Sequence, residues 1–141
     1  MFTLDPQLAR DTLPVGDLPL CRLLLMNDTT YPWFILVPRR ADIREIYQLD
    51  LVDQQQLLTE SSRLARLLVE RFAADKLNIA TLGNLVPQLH LHHLVRYRTD
   101  PAWPKPVWGL LPPRPYSGEA AADLCRQVAA QLPDLAPCSS P

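Results

Sequence analysis

GNLVPQLHLHHLVRYR, residues 83–98, holds every histidine of the chain: His90, His92 and His93. Gly83 marks a turn, and beyond Pro87 polar and apolar residues alternate from Gln88 to His92. A period of two is the pattern of a strand with one face against a core. Leu89, Leu91 and His93 share one face. Gln88, His90 and His92 share the other, where hydrogen-bonding groups recur about every 7 Å. That second face is expected not to be an apolar interior. A strand needs partners, so this reading decides what the rest of the chain must supply.

Upstream, KLNIA (76–80) reads as a strand, and TLGN (81–84) turns it into the histidine stretch. Residues 50–74 read as a long helix, capped by Asp50, with Asp53 against the positive end of its dipole. Leu51, Leu58, Ala65, Leu68 and Phe72 form the expected apolar stripe, widened by Leu57, Leu64 and Leu67, while Arg63, Glu70 and Arg71 are expected to face water. CRLLLM (21–26), the turn NDTTYP and WFILV (33–37) read as a hairpin. Residues 4–12 suit a short helix, with Asp5 as N-cap and Pro6 in its first turn. Downstream, TDPAWPKPVWGLLPPRPYSG is too proline-dense for a regular element. EAAADLCRQVAAQL (119–132) reads as a second helix, and residues 133–141 as a frayed tail.

A length of 141 residues suits one domain, expected over residues 1–132 with a core at about 15–110. Hydrophobic residues at 48% and charged ones at 21% permit a core without disulfide staples. A net charge of −1 offers no global field for nucleic acid or an acidic membrane, leaving only a local basic patch of Arg96, Arg98, Lys105 and Arg114. Cys21, Cys125 and Cys138 are scattered and odd in number, which fits reduced thiols and not a cysteine zinc site. MFTLDPQLARD lacks the layout of a signal peptide, and no apolar run approaches the roughly 20 residues of a membrane span, so a cytoplasmic location is expected.

The residues alone leave three chemistries open for the histidine face. It is a polar surface, a zinc site that needs a third ligand besides His90 and His92, or a site of nucleophilic catalysis by imidazole.

The stretch resembles the signature of the histidine triad superfamily, His–φ–His–φ–His–φ–φ (φ apolar) after a glycine-polar turn. NDTTYPWFILVPR and KLNIATLGN stand in the family's order before it, and DPAWPKPVWG resembles the continuation in bacterial members with a QLHxHH motif. The resemblance implies an α+β fold: about five antiparallel strands, one long helix packed on the sheet, a C-terminal helix, and a homodimer. It implies a nucleotide hydrolase or nucleotidyl transferase that forms a covalent nucleotidyl-histidine, with no metal or cofactor. Gln88 falls on the first triad position, His90 on the second and His92 on the third. His93 takes an apolar position, and Arg96 falls where many members carry arginine. His90 is then the nucleophile at the α-phosphorus, its other ring nitrogen held by a backbone carbonyl. His92, Asn84 and Asn78 are candidates for the phosphate oxygens, and Asn27 or Asp28 for the ribose hydroxyls. Both of the last two also suit a plain turn. Leu25, Phe34 and Leu36 serve either a base or the core.

Gln88 can orient a phosphate but cannot shuttle a proton at neutral pH. That favours phosphate-type leaving groups, as in a dinucleoside polyphosphate, over amines. A non-catalytic nucleotide-binding protein with a degenerate triad and a zinc-dependent hydrolase are the alternatives. Trp103 and Trp108, among the prolines, form either a rigid flap over the pocket or a stapled surface loop.

Overall fold

The computed structural model describes residues 1–139. Helix α1 (Pro6–Asp11) leads into strands β1 (Thr12–Asp17), β2 (Cys21–Met26) and β3 (Trp33–Pro38). Helix α2 (Leu51–Phe72), strands β4 (Lys76–Ala80) and β5 (Leu91–Arg96), and helix α3 (Gly118–Ala130) follow. The five strands form one antiparallel sheet in the order β1-β2-β3-β5-β4. This is the expected architecture, with one strand the sequence hid. β1, in a stretch to which the sequence assigns no strand, contains Pro14 and Gly16, residues disfavoured within strands. It tolerates them because it is an edge strand with its register shift between those two residues.

The sheet is buried on both faces. Leu23, Leu25, Phe34, Leu36, Leu91 and Val95 meet Leu57, Leu64 and Leu68 of α2 and Val128 of α3. Leu24, Ile35, Val37 and Leu94 carry a second cluster, closed by Leu8 of α1 and by Tyr31, Trp33, Ala102 and Val107. Leu25, Phe34 and Leu36 are therefore core residues. The side expected to be no apolar interior is one, roofed by α1 and the proline-rich loop.

α2 begins where expected: Asp50 accepts a hydrogen bond from the Asp53 amide. It ends at Ala73 in the left-handed region (φ 48°). Its buried face differs from the expected stripe. Leu51 and Leu58 are 80% and 67% exposed, and the sheet takes Leu57, Ser61, Leu64 and Leu68. Steps of seven fall about 20° short of two turns, so the apolar residues span two adjacent helix faces. Polar anchors select between them. Glu60 accepts from the Leu20 and Cys21 amides (2.9 and 2.8 Å), and Ser61 reaches His93 (2.7 Å). Each buried leucine of this face contributes about 2 kcal/mol.

Residues 133–139, expected to fray, lie against β1; Ser140 and Pro141 fall outside the described residues. Asp17 and Ala136 exchange both backbone hydrogen bonds (2.8 and 2.9 Å). Asp17 also binds Arg22 (2.8 Å) and the Ser139 amide (2.8 Å). Burial would raise its carboxyl, but Arg22 and Ser139 outweigh that and hold it at about 2. No helix among the described residues is long and apolar enough to cross a membrane.

Candidate active site

β5 starts only at Leu91, so Gln88, Leu89 and His90 precede the sheet ladder. Gly83 (φ +73°) turns the chain toward them in a conformation that favours glycine. Leu89 anchors the approach: its side chain is buried and its amide donates to the Ile43 carbonyl (2.9 Å).

The alternation holds through the motif. His90 and His92 lie on the same side, their ring centroids 4.9 Å apart at 69°, and both are about 95% buried at 6% and 5% exposure. His90 Nδ1 lies 2.6 Å from the Gln88 carbonyl. A carbonyl can only accept, so Nδ1 carries a proton, and in the neutral ring Nε2 keeps its lone pair. The backbone acceptor implied by the motif is thus the main chain of Gln88.

His92 has the opposite tautomer. The indole N–H of Trp33 donates to its Nδ1 (3.0 Å), so Nδ1 is bare. Burial first, then the neighbouring His90 and His93, push its pKa down to about 3, so the ring is neutral at physiological pH. A neutral ring with a bare Nδ1 must carry its proton on Nε2. Two neighbouring imidazoles therefore hold a free lone pair and a free N–H donor, the pair a nucleophilic displacement at phosphorus uses. Trp33 and Trp108 flank the His92 ring (centroids 5.6 and 5.2 Å).

His93 faces the other way. Its Nδ1 donates to the Leu91 carbonyl (3.1 Å) and its Nε2 accepts from the Ser61 hydroxyl, tying β5 to α2. It is fully buried, and burial lowers its pKa to about 4. It is a structural pin.

A cavity of about 370 Å³ is lined by Trp33 and Trp108, the two indoles that flank His92, and by Tyr31, Asn27, Asp28 and Arg10 among others; neither His90 nor His92 lines it. Such a volume suits a small organic ligand. Asn27 and Asp28 line it while anchoring its rim. Asn27 Oδ1 accepts from the Tyr116 amide (2.9 Å), and Asp28 Oδ1 from the Thr30 and Arg114 amides (3.0 and 3.2 Å). Both residues thus form the turn and line the cavity. A larger groove, about 580 Å³, runs along Leu58, Arg66 and Gln131, away from the histidines.

The remaining candidates lie elsewhere. Asn78 pairs with Leu94, two residues along from the Ala80–His92 pair, and its oxygen accepts from Arg96 (2.7 Å). Asn84 is exposed in the Gly83 turn. The Gln88 side chain faces the N-terminal segment: Oε1 accepts from the Asp5 amide and Nε2 donates to the Thr3 carbonyl, both at 2.9 Å. Arg96 belongs to no surface patch. It is 1% exposed, forked onto Asp100 (2.8 and 3.1 Å), with the Tyr31 and Trp103 rings at 5.8 and 5.7 Å. Of the two loop tryptophans, Trp108 covers the site and Trp103 staples the loop to Arg96. Trp33, which sets the His92 tautomer, was not singled out from the sequence. Its signal was strand parity: Ile35 pairs with His92, so Trp33 is a same-face diagonal neighbour.

No group of three metal-binding side chains occurs among the described residues, and all three cysteines are free. Burial, with Glu60 beside it, pushes the Cys21 thiol far up, so it is no nucleophile.

The family model of the HIT domain matches residues 8–99. A histidine triad protein from Marinobacter aquaeolei VT8 is 55% identical, with a TM-score of 0.93, over 96% of this chain and 99% of that one. A histidine triad protein from Sinorhizobium meliloti 1021 is 44% identical, with a TM-score of 0.90, over 94% and 98%. A Zn-bound histidine triad family protein from Mycobacterium smegmatis is 19% identical over 89% and 91%, with a TM-score of 0.61, and shares the fold. No protein of curated function matches.

Proposed function

Because this chain belongs to the histidine triad (HIT domain) family, we propose that it is a nucleotide hydrolase or nucleotidyl transferase with His90 as its nucleophile. The observation that carries the reading is the bare Nε2 of His90, held by the Gln88 carbonyl, beside the neutral His92 donor. His90 Nε2 attacks the α-phosphorus. A P–N bond forms as the P–O bond to the leaving group breaks, and the electron pair leaves on the departing oxygen. The His92 Nε2–H donates to a phosphate oxygen as charge builds. Water or another acceptor then cleaves the P–N bond and restores the imidazole.

The cavity lined by the two indoles takes the nucleoside. The indoles of Trp33 and Trp108 offer apolar faces to a base. Asp28 Oδ2 and the Asn27 amide nitrogen, which the rim contacts leave free, meet the ribose hydroxyls. His92 stays neutral, and Gln88 titrates nowhere near pH 7, so neither supplies a strong acid. Leaving groups that depart as phosphates, such as those of dinucleoside polyphosphates, are preferred to amines. No step needs a metal or cofactor.

The chain pairs with a second copy through the free edge of β4, where Ile79 is 48% exposed, and through Leu51, Leu58 and Val69 of α2. Sedimentation that returns a monomer at micromolar concentration rules this pairing out.

The reaction is tested with an α-labelled dinucleoside polyphosphate. Acid quenching is expected to trap an acid-labile, base-stable label on His90, and His90→Ala is expected to lose turnover by about 10³-fold or more. Turnover that survives His90→Ala refutes the reading. Binding with neither adduct nor product favours a non-catalytic nucleotide-binding protein. Faster turnover of a nucleotide phosphoramidate refutes the leaving-group preference.

A further inference from the structure

We infer that Gln88 is a positioning residue whose side chain never meets the phosphate, and that it makes the N-terminal segment part of the support for the nucleophile. The inference rests on His90 as nucleophile. Its premise is a gap in the fold: the carbonyl that fixes the His90 tautomer belongs to Gln88, and the β3–β5 ladder starts three residues later, at the Leu36–Leu91 pair. Strand pairing does not hold that peptide. The Leu89 amide bonded to Ile43 fixes one end of it. The Gln88 side chain fixes the other, as a two-point clamp on the Asp5 amide and the Thr3 carbonyl.

The clamp has a second job on the same atoms. Asp5 is the N-cap of α1, and its carboxylate accepts from the Gln7 amide (2.7 Å). In a capping box the backbone N–H of the cap residue is taken by a Glu or Gln three residues on. Here that position is Leu8, which is buried in the second cluster and has no acceptor. Gln88 supplies the missing acceptor from 83 residues away. One side chain thus completes the α1 cap and orients the carbonyl that holds the His90 proton. An amide suits this double task because it offers a donor and an acceptor and stays neutral at every relevant pH.

The test is nitrogen-detected NMR of the imidazoles in wild type, Gln88→Ala and Gln88→Glu, with kcat and KM for a dinucleoside polyphosphate measured in parallel. Wild type is expected to show a single His90 tautomer with the proton on Nδ1. Gln88→Ala loses both clamp bonds and is expected to populate both tautomers, with kcat down about 10–100-fold and KM within about twofold, since misorientation of a nucleophile acts on the chemical step. Gln88→Glu keeps the acceptor for Asp5 but at neutral pH cannot donate to Thr3, so it should fall between the two. A single Nδ1-protonated tautomer in Gln88→Ala overturns the inference. So does a raised KM at unchanged kcat, which would mean that Gln88 touches substrate. If wild type turns nothing over, the proposed reaction fails, and the tautomer spectra still decide the role of Gln88.

Discussion

His92 and His93, the two imidazoles whose pKa values burial depresses, should make this protein acid-sensitive well above the carboxylate range. His92 titrates at about 3 and His93 at about 4 when folded, against 6.5 for the free side chain, with burial the leading cause in both. A depressed pKa in the folded state means that the unfolded chain binds the proton first. Stability from these groups is complete above pH 6.5 and is lost as pH falls from there through 4 and 3. At pH 5 the unfolded state gains about 2 kcal/mol per histidine, since roughly 97% of a group with pKa 6.5 is protonated there while the folded rings remain neutral. Together the pair removes about 4 kcal/mol between pH 7.5 and pH 5, a large share of a typical domain's stability. Asp17 does not contribute in this window, because its own loss runs from 3.8 to about 2. Urea denaturation at pH 7.5, 6 and 5 measures the slope. His93→Gln, which keeps a polar group near Ser61, should halve it to about 2 kcal/mol whatever its absolute stability. A wild-type loss under about 1 kcal/mol, or a His93→Gln slope equal to that of wild type, would refute the reasoning.

Trp33→Phe keeps an aromatic ring, though a smaller one, and removes the N–H that His92 accepts; it should cost about 1–3 kcal/mol in urea unfolding and leave the His92 nitrogens in mixed tautomers, and an unchanged nitrogen spectrum would absolve the indole. Asp100→Asn leaves the guanidinium of Arg96, 1% exposed, without its counter-charge, and should cost about 3–5 kcal/mol by the same measurement. A Cβ on Gly16 would sit 2.6 Å from Leu135 Cγ and 2.7 Å from the Ala136 carbonyl, so Gly16→Ala should loosen residues 134–139, seen as faster hydrogen exchange at the Ala136 and Ser139 amides.

What could be read in the sequence was what depends on near neighbours. Period-two alternation put His90 and His92 together, the caps Asp5 and Asp50 marked their helices, and the hairpin was visible around NDTTYP. What could not be read depends on distant partners. Leu57, Leu64, Leu67 and Leu68 of the expected stripe are buried, but Leu51 and Leu58 are left exposed because Glu60 and Ser61 have partners beside β2 and on β5, which α2 alone does not reveal. Arg96 looked like surface charge until Asp100 folded back on it, and the Gln88 side chain bonds the N-terminal segment 83 residues away, a contact that no local pattern reveals. β1 carried no alternating pattern to mark it, and its irregularity at Pro14 and Gly16 fits an edge strand.

The two rims of the sheet are not alike. Along β1 residues 133–139 are laid down and bonded at Asp17, whereas β4 is an edge strand on which Ile79 is exposed. If the β4 edge takes up a second copy as proposed, a ribbon with a single adhesive side would join one equal and then stop, and assembly would end at a closed pair. Cutting the chain before Asp134 would bare a second such side, and the same molecule would then be able to polymerise.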